Sequence, residues 1–215
     1  QLEFSPDGKS ITCVDRDGLL SFWDPLDKRT VEVLRGETPL PRFTRFDFSP
    51  DSKTLALATA TQVYLFDLGT KKIRPFSEKM QRVVDLRFSP EGNLLGLLGG
   101  SGGSRSRTIQ LYDANNGQRV TEFASSSQSL IFSPAGDYLA VHSYARGVRL
   151  WKLPAESNTS VVQGHKGNIR SVSFSDDGSL LASGGAGGVI IWDTTVWEKK
   201  GFIPTESGVM YVDFF

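Results

Sequence analysis

The chain has 215 residues, of which 39% are apolar, and its 24 basic and 24 acidic side chains give a formal net charge of zero. This length and composition can bury a sizeable core in one or two domains. No run approaches 18 apolar residues, so no membrane-spanning helix is predicted, and the balanced charge argues against a domain that binds nucleic acid. The single cysteine, Cys13, excludes an intrachain disulfide. Because no signal-like segment opens the sequence, we expect a cytoplasmic or nuclear protein.

Two landmarks recur along the chain at a nearly constant spacing. The first is a phenylalanine followed by a turn, as in FSPDG, and it occurs at Phe4, Phe48, Phe88, Phe132 and Phe174. The steps between these residues are 44, 40, 44 and 42. The second landmark is an aromatic residue at the end of an apolar run, and it occurs at Trp23, Phe66, Tyr112, Trp151 and Trp192. Because two independent landmarks keep the same period, the sequence is predicted to consist of repeats.

The fifth copy, residues 164–193, shows most clearly what one repeat contains. Its segments IRSVSFS, LLASG and VIIW are short and rich in β-branched or small apolar residues, and Gly- or Asp-containing turns separate them. Such segments are typical of strands joined by tight turns. A repeat of about 42 residues accommodates four strands, the size of one propeller blade. We therefore predict an all-β chain, a β-propeller of four-stranded antiparallel blades.

Five blades are predicted, at residues 1–40, 41–80, 81–124, 125–166 and 167–208. Residues 209–215 are predicted to form the first strand of a further blade. Because the sequence starts and stops at the same kind of strand, we expect an incomplete ring from a propeller of seven or eight blades, with a closed ring of five as the alternative. Terminal blades of such a segment would expose strand edges that can pair with another chain.

The residues GH, FSDDG and WD of the fifth copy resemble the WD-repeat family, and the likeness extends over essentially the whole chain. In that family a His, a Ser or Thr, an Asp and a Trp often form a hydrogen-bonded tetrad within one blade. The resemblance implies structural roles for His165, Ser183 and Trp192, although a glycine run stands where the Asp would fall. Trp23 and Trp151 are likewise expected to be structural, as bulky spacers between blades.

Catalytic and metal-binding patterns are scarce in this sequence. The two histidines form no metal-ligand spacing with the single cysteine, so no catalytic residue, metal or cofactor is assigned. A carboxylate stands directly before the recurring phenylalanine in two copies, at Glu3 and Asp47, and Asp213 stands before Phe214 one period after the fifth copy. These residues lie on strands predicted to line a central channel. Hard oxygen ligands of this kind suit calcium. A propeller hydrolase that uses these carboxylates is therefore one alternative, and the other is charged residues that face a wet channel.

The loops predicted to share one rim of the propeller contain several basic residues. Those assigned to partner binding are Arg42, Arg45, Arg82, Arg105, Arg107, Lys166 and Arg170. Acidic turns are predicted on the opposite rim, at Asp7, Asp51, Glu91, Asp176 and Asp177. Because a guanidinium group binds a carboxylate in a bidentate manner, we expect the basic rim to bind an acidic protein or peptide. The alternative is ordinary solvated charge spread over loops.

The resemblance to the WD-repeat family implies a non-catalytic scaffold that binds protein or peptide partners on its loops, with no membrane association. Stacked blades hold such loops in place and leave their sequences free to vary. Fold alone does not determine function. A regulatory or sensory module of a larger enzyme therefore remains a further alternative.

Overall fold

The computed structural model describes residues 1–27, 29–33, 42–76, 80–100, 107–125, 127–142, 147–153 and 159–214. Over these residues the chain is all-β, and twenty strands form five four-stranded sheets. Strand pairing within the sheets is antiparallel, as predicted. The described residues include no helix that is long and apolar enough to cross a membrane.

Each sheet takes four consecutive strands in chain order. The first sheet contains β1 (Leu2–Phe4), β2 (Ile11–Val14), β3 (Leu20–Asp24) and β4 (Arg29–Val33). The second contains β5 (Arg45–Phe48), β6 (Thr54–Ala58), β7 (Val63–Asp67) and β8 (Ile73–Pro75). The third contains β9 (Gln81–Phe88), β10 (Leu94–Gly100), β11 (Arg107–Asp113) and β12 (Arg119–Ser125).

The two remaining sheets follow the same plan. The fourth contains β13 (Leu130–Phe132), β14 (Tyr138–His142), β15 (Gly147–Lys152) and β16 (Thr159–Gln163). The fifth contains β17 (Ile169–Phe174), β18 (Leu180–Gly185), β19 (Gly188–Asp193) and β20 (Glu198–Pro204). We call the end of a sheet where its first strand begins the entry end, and the opposite end the turn end. In an antiparallel sheet the link between the second and third strands also lies at the entry end.

One serine builds the turn between the first and second strands of every sheet. Its hydroxyl accepts the N–H of the residue five positions later at 2.9–3.0 Å, and it donates to a carboxylate or amide oxygen at 2.6–2.8 Å. The five serines are Ser5, Ser49, Ser89, Ser133 and Ser175. Three residues after each serine the backbone has a positive φ, which a glycine supplies in four sheets and Ser52 supplies in the second. The marker sequence therefore encodes a turn in which both backbone and side chain are fixed.

The chain divides into two compact units, residues 1–105 with 111–119, and residues 106–110 with 120–215. In the first unit, apolar side chains from the first and second sheets form one core around Phe46, Leu55 and Phe66. A second core of this unit forms between the second sheet and residues of the third, around Leu65 and Leu97. In the second unit, a core forms between the fourth and fifth sheets, and it includes Ala140, Val148, Leu150, Val172 and Trp192.

One face of the first sheet is exposed, although the same repeat positions are buried in the second sheet. Leu2, Phe4 and Trp23 are 64%, 59% and 37% exposed. Phe46 and Phe66, which correspond to Leu2 and Trp23 one repeat later, are 0% and 1% exposed. The first sheet packs against the second through its other face. Trp23, expected as a spacer between blades, therefore lies on an apolar surface that is open in the part of the chain described.

Residues 205–214 contain no strand, although a first strand of a further blade was expected at 209–215. Val209 and Val212 pack instead against Gly184, where a Cβ atom would lie only 2.7 and 2.6 Å from their side chains. The Val212 N–H bonds to the Ser171 hydroxyl at 3.2 Å. Because a side chain rather than a strand backbone takes this N–H, the segment lies alongside β17 without extending its sheet.

Candidate partner-binding site

Three of the arginines assigned to partner binding lie at the entry end of the first unit. Arg42 precedes β5, Arg45 begins β5, and Arg82 lies near the start of β9. All three side chains are exposed. The strands β5 and β9 are neighbours, because the Phe88 N–H donates to Asp47 Oδ2 at 2.6 Å. We call Arg42, Arg45 and Arg82 the arginine patch.

The acidic residues nearest to Arg42 leave it largely available. Asp15 Oδ1 accepts the N–H groups of Asp17 and Leu19 at 2.8 and 2.9 Å, so its charge is engaged in its own turn. Asp17 Oδ1 lies 3.9 Å from Arg42 Nη2, and both side chains are more than three-quarters exposed. A surface pair of this kind contributes little to stability. Arg42 therefore remains free to exchange Asp17 for a carboxylate on a partner.

The backbone at Arg42 is held by close packing against Gly18. The Phe43 N–H donates to the Gly18 carbonyl at 3.3 Å. Gly18 has a φ of +78°, and a Cβ atom there would lie 2.7 Å from the Arg42 Cα. Only glycine fits this position. The first sheet therefore positions an arginine that belongs to the second repeat.

The basic residues of the second unit differ in how available they are. Lys166 and Arg170 are exposed at the entry to β17, whereas Arg107 is partly buried at the start of β11. Arg107 donates to the Ser127 carbonyl, and Arg170 contacts the Met210 sulfur. Arg105 lies outside the described residues. Lys166 is therefore the exposed cation of this group for which no contact among described residues is recorded.

Carboxylates at the turn end are engaged in the turns that they close. Asp51 Oδ1 accepts the Ser49 hydroxyl and the Lys53 N–H, and these hydrogen bonds lower the pKa of Asp51. Asp7 has the same arrangement and also a lowered pKa. Hydrogen bonds from the Ser175 hydroxyl and from Ser179 lower the pKa of Asp177 to about 2. These carboxylates are ionised at neutral pH because their own turns stabilise the charge.

The carboxylates weighed as calcium ligands have an arginine between them. Arg87 Nη1 lies 3.0 Å from Glu3 Oε1 and 3.1 Å from Asp47 Oδ1. Arg87 Nε lies 3.9 Å from Asp85 Oδ1. The third candidate, Asp213, belongs to the second unit and accepts the Ser173 hydroxyl at 2.8 Å. In the first unit, a protein cation therefore occupies the position between the two acids that a metal ion would need.

Burial and charge act in opposite directions on this ion cluster. Burial raises the pKa of Asp47 to about 7, while Arg87 and the Phe88 N–H oppose the rise and Glu3 adds to it. Burial alone would lower the pKa of Arg87, but the carboxylates of Asp85, Asp47 and Glu3 raise it. Arg87 is therefore charged at all physiological pH values, and Asp47 is the group that titrates near neutrality.

A buried polar cluster links the second and third strands of the fifth sheet to the loop before it. Ser183 Oγ accepts the Trp192 Nε1–H at 2.8 Å and lies 2.8 Å from His165 Nε2. Burial lowers the pKa of His165, so the imidazole is neutral at physiological pH. The other expected spacer, Trp151, is buried and packs on Phe123 with ring centroids 4.9 Å apart. Ser183 is wholly buried, so this cluster has no access to a ligand.

Comparison with known proteins gives a consistent assignment. A family model described as WD domain, G-beta repeat, matches residues 1–24 and 156–193. The BTB/POZ domain and WD-repeat protein R61 of Acanthamoeba polyphaga mimivirus is 25% identical over 78% of this chain and 35% of its own length. The serine-threonine kinase receptor-associated protein of Gallus gallus is 26% identical over 93% of this chain and 56% of its own length. Pre-mRNA-processing factor 19 of Oryza sativa is 32% identical over 42% of this chain and 18% of its own length.

Five four-stranded antiparallel sheets, each with the same serine turn, define a protein built from propeller-type blades. In the matched regions the chain is similar to WD-repeat proteins. Proteins of this family serve as interaction scaffolds and are typically non-catalytic. The chain spans between 18% and 56% of the length of the three relatives described.

Proposed function

We propose that this chain is a non-catalytic scaffold whose arginine patch binds an acidic segment of a protein or peptide partner. The observation that supports the proposal is the contrast between the two ends of the first unit. Arg42, Arg45 and Arg82 are exposed at the entry end, whereas Asp7 and Asp51 at the turn end are engaged by their own turns. Arg42 has only an exposed pair with Asp17, and Arg45 donates one N–H to the Thr44 carbonyl at 2.8 Å. Both guanidinium groups therefore keep N–H donors for an external carboxylate.

In the second unit, Lys166 and Arg170 form a second candidate contact for the same kind of partner. Both are exposed: Lys166 lies in the loop before β17, and Arg170 is the second residue of that strand. Because Arg170 contacts Met210 and Lys166 has no recorded contact, we expect Lys166 to contribute more than Arg170. The proposed location is the cytoplasm or nucleus, and the name of the Oryza sativa relative, a pre-mRNA-processing factor, supports this proposal.

The proposal is tested by the fluorescence anisotropy of a labelled peptide with six consecutive glutamates. R42E/R82E is expected to weaken binding at least tenfold at 50 mM salt, because two attractive charges become repulsive. Wild-type affinity is expected to fall as salt rises, and the variant is expected to show a smaller salt dependence.

The matched control is K9E/K53E, which makes the same charge change at the turn end of the first and second sheets, in the same unit. Lys9 and Lys53 are exposed and pair with Asp7 and Asp51 at 3.4 and 3.7 Å. If K9E/K53E weakens binding as much as R42E/R82E, the chain responds to net charge only, and the assignment to the arginine patch is wrong.

A further inference from the structure

A cleft of about 700 Å³ opens between the second and third sheets at the turn end of the first unit. The second sheet contributes Thr54, Leu65 and Arg74 to its lining, and the third contributes Phe88 and Ala114. Leu65 and Ala114 belong to the core between these sheets, and Phe88 packs against it. The floor of the cleft is therefore the exposed margin of that core. We call this region the turn-end cleft.

The repeat itself shows why this junction is open. Four residues after the Asp that ends the third strand, the backbone has a positive φ at Lys71, Gly117 and Trp197, of 59°, 74° and 56°. The side chain at this position covers the preceding sheet elsewhere. The Lys71 ammonium lies 5.8 Å from the centre of the Phe22 ring. Trp197 packs against Tyr138 with ring centroids 5.1 Å apart.

The junction between the second and third sheets is filled differently. Gly117 supplies no side chain where Lys71 and Trp197 supply one, and Phe76 packs over it instead, since a Cβ atom at Gly117 would lie 3.7 Å from the Phe76 ring. Thr54 occupies the repeat position of Tyr138 and is much smaller. The small side chain of Thr54, which lines the cleft, therefore leaves open the space that Tyr138 and Trp197 fill between the fourth and fifth sheets.

Arg74 supplies the ligand-binding charge of the turn-end cleft. It pairs with Leu65 across β7 and β8, so the two side chains project from the same face of the sheet. Arg74 is exposed, and no hydrogen bond or ion pair with another described residue is recorded for it. The three carboxylates that line the cleft are engaged within the chain: Asp51 accepts the Ser49 hydroxyl, Asp67 accepts the Thr70 N–H, and Glu91 accepts the Asn93 side-chain amide at 3.1 Å.

The strand that carries Arg74 is an edge strand with available backbone groups. β8 is the last strand of the second sheet and is exposed at all three positions. The Asp67 N–H donates to the Lys72 carbonyl and the Phe76 N–H donates to the Val63 carbonyl, both at 2.9 Å. This register directs the Ile73 N–H and carbonyl away from β7. An extended peptide can therefore form hydrogen bonds with Ile73 while its side chains enter the cleft.

We propose that the turn-end cleft binds an extended peptide segment of a partner protein, with an aliphatic side chain over Leu65 and Phe88 and a carboxylate on Arg74. The peptide is recognised by three features: backbone pairing with Ile73, burial of one apolar side chain, and a charge-assisted hydrogen bond. This site is separate from the arginine patch, which lies at the entry end.

The test is an NMR titration of the full 15N-labelled chain with acetyl-Thr-Leu-Thr-Glu-Thr-amide. Chemical-shift changes are expected at residues 49–54, 65–74, 88–92 and 114–117. Replacing Leu by Ala, or Glu by Gln, in the peptide is expected to weaken binding at least fivefold. R74Q and T54Y are each expected to weaken it at least tenfold, the second because a tyrosine fills the cleft as Tyr138 fills the corresponding junction.

Two control variants separate this site from other causes. K200Q changes an exposed cation of the second unit that pairs with Asp193 at 3.7 Å, and it is expected to leave the affinity unchanged. R42E/R82E is also expected to leave the affinity for this peptide unchanged. A result against the arginine patch can therefore be distinguished from a result against the turn-end cleft. Shift changes outside the named residues, equal binding of the Ala and Gln peptides, or full affinity in R74Q would each overturn the proposal.

Discussion

The buried cluster of the fifth sheet gives the sharpest test of how this repeat is stabilised. S183A removes a hydroxyl that is 0% exposed and that bonds to Trp192 and His165, each at 2.8 Å. Both partners are themselves buried. A buried polar group left without a partner costs about 1–3 kcal/mol. Two such groups predict a loss of about 2–6 kcal/mol in the free energy of unfolding.

The loss is measured by urea denaturation followed by tryptophan fluorescence and circular dichroism. Thermal unfolding gives a second measurement: for a chain of this size, 1 kcal/mol corresponds to a shift in Tm of about 2–4 °C, so a decrease of roughly 4–24 °C is expected. S173A is the control, because that hydroxyl bonds to Asp213 at an exposed position. A surface change of this kind is expected to alter stability by less than about 0.5 kcal/mol.

A double-mutant cycle tests the physical reason. W192F keeps most of the ring but removes the N–H that Ser183 accepts, so the double variant leaves one unsatisfied group fewer. We expect S183A/W192F to be more stable, by about 1–2 kcal/mol, than the sum of the single effects predicts. Strict additivity, or a loss for S183A no larger than that for S173A, would refute the reasoning.

Three further predictions concern the first unit and its open face. Because the pKa of Asp47 is raised, the folded chain keeps a proton that the unfolded chain releases between about pH 4 and 7. The free energy of unfolding should therefore fall, by on the order of a few kcal/mol, as pH rises through this window. D47N should flatten this pH dependence, and an unchanged slope in D47N would contradict the assignment. R87M removes the positive charge that pairs with Glu3 and Asp47, and it should lower the free energy of unfolding by about 2–4 kcal/mol in urea denaturation at pH 7. If unpaired negative charge is the cause, adding E3Q/D47N to R87M should reduce this loss. W192A should cost about 3–5 kcal/mol and W23A less than half of that, because Trp192 is 3% exposed and Trp23 is 37% exposed; equal losses in thermal unfolding would show that Trp23 is covered.

The positions of the strands were predictable because turn chemistry and apolar pattern agree. In the fifth copy, predicted strands at residues 169–175, 180–184 and 189–192 correspond to β17, β18 and β19 to within one residue. The all-β fold class and the four-stranded antiparallel sheets are confirmed. The role of the turn serine was also available from the sequence, since Ser follows the marker phenylalanine in all five copies. The repeat makes that role visible, because only the serine and the phenylalanine are invariant in the five turns.

The contacts between repeats were not predictable in the same way. Arg87 stands directly before Phe88, at the repeat position that Glu3 and Asp47 hold in the first two copies, and its length allows one guanidinium to reach both of these acids. Likewise, Gly117 looks like an ordinary turn glycine in the sequence. In the structure Phe76 packs over Gly117, whereas Lys71 and Trp197 at the same repeat position contact aromatic rings of the preceding sheet. Such effects depend on side-chain reach between sheets, which the period of a repeat does not encode.

The ion pair between Glu3 and Arg87 joins residues 84 positions apart, on the first and third sheets. In linear repeat arrays, energetic coupling is usually limited to adjacent modules, and unfolding can then spread one module at a time. An ion pair between the first and third modules adds a stabilising interaction between modules that are not adjacent. If the third module unfolded alone, Glu3 on the first module would lose its partner Arg87. The three modules should therefore unfold together, in one cooperative transition.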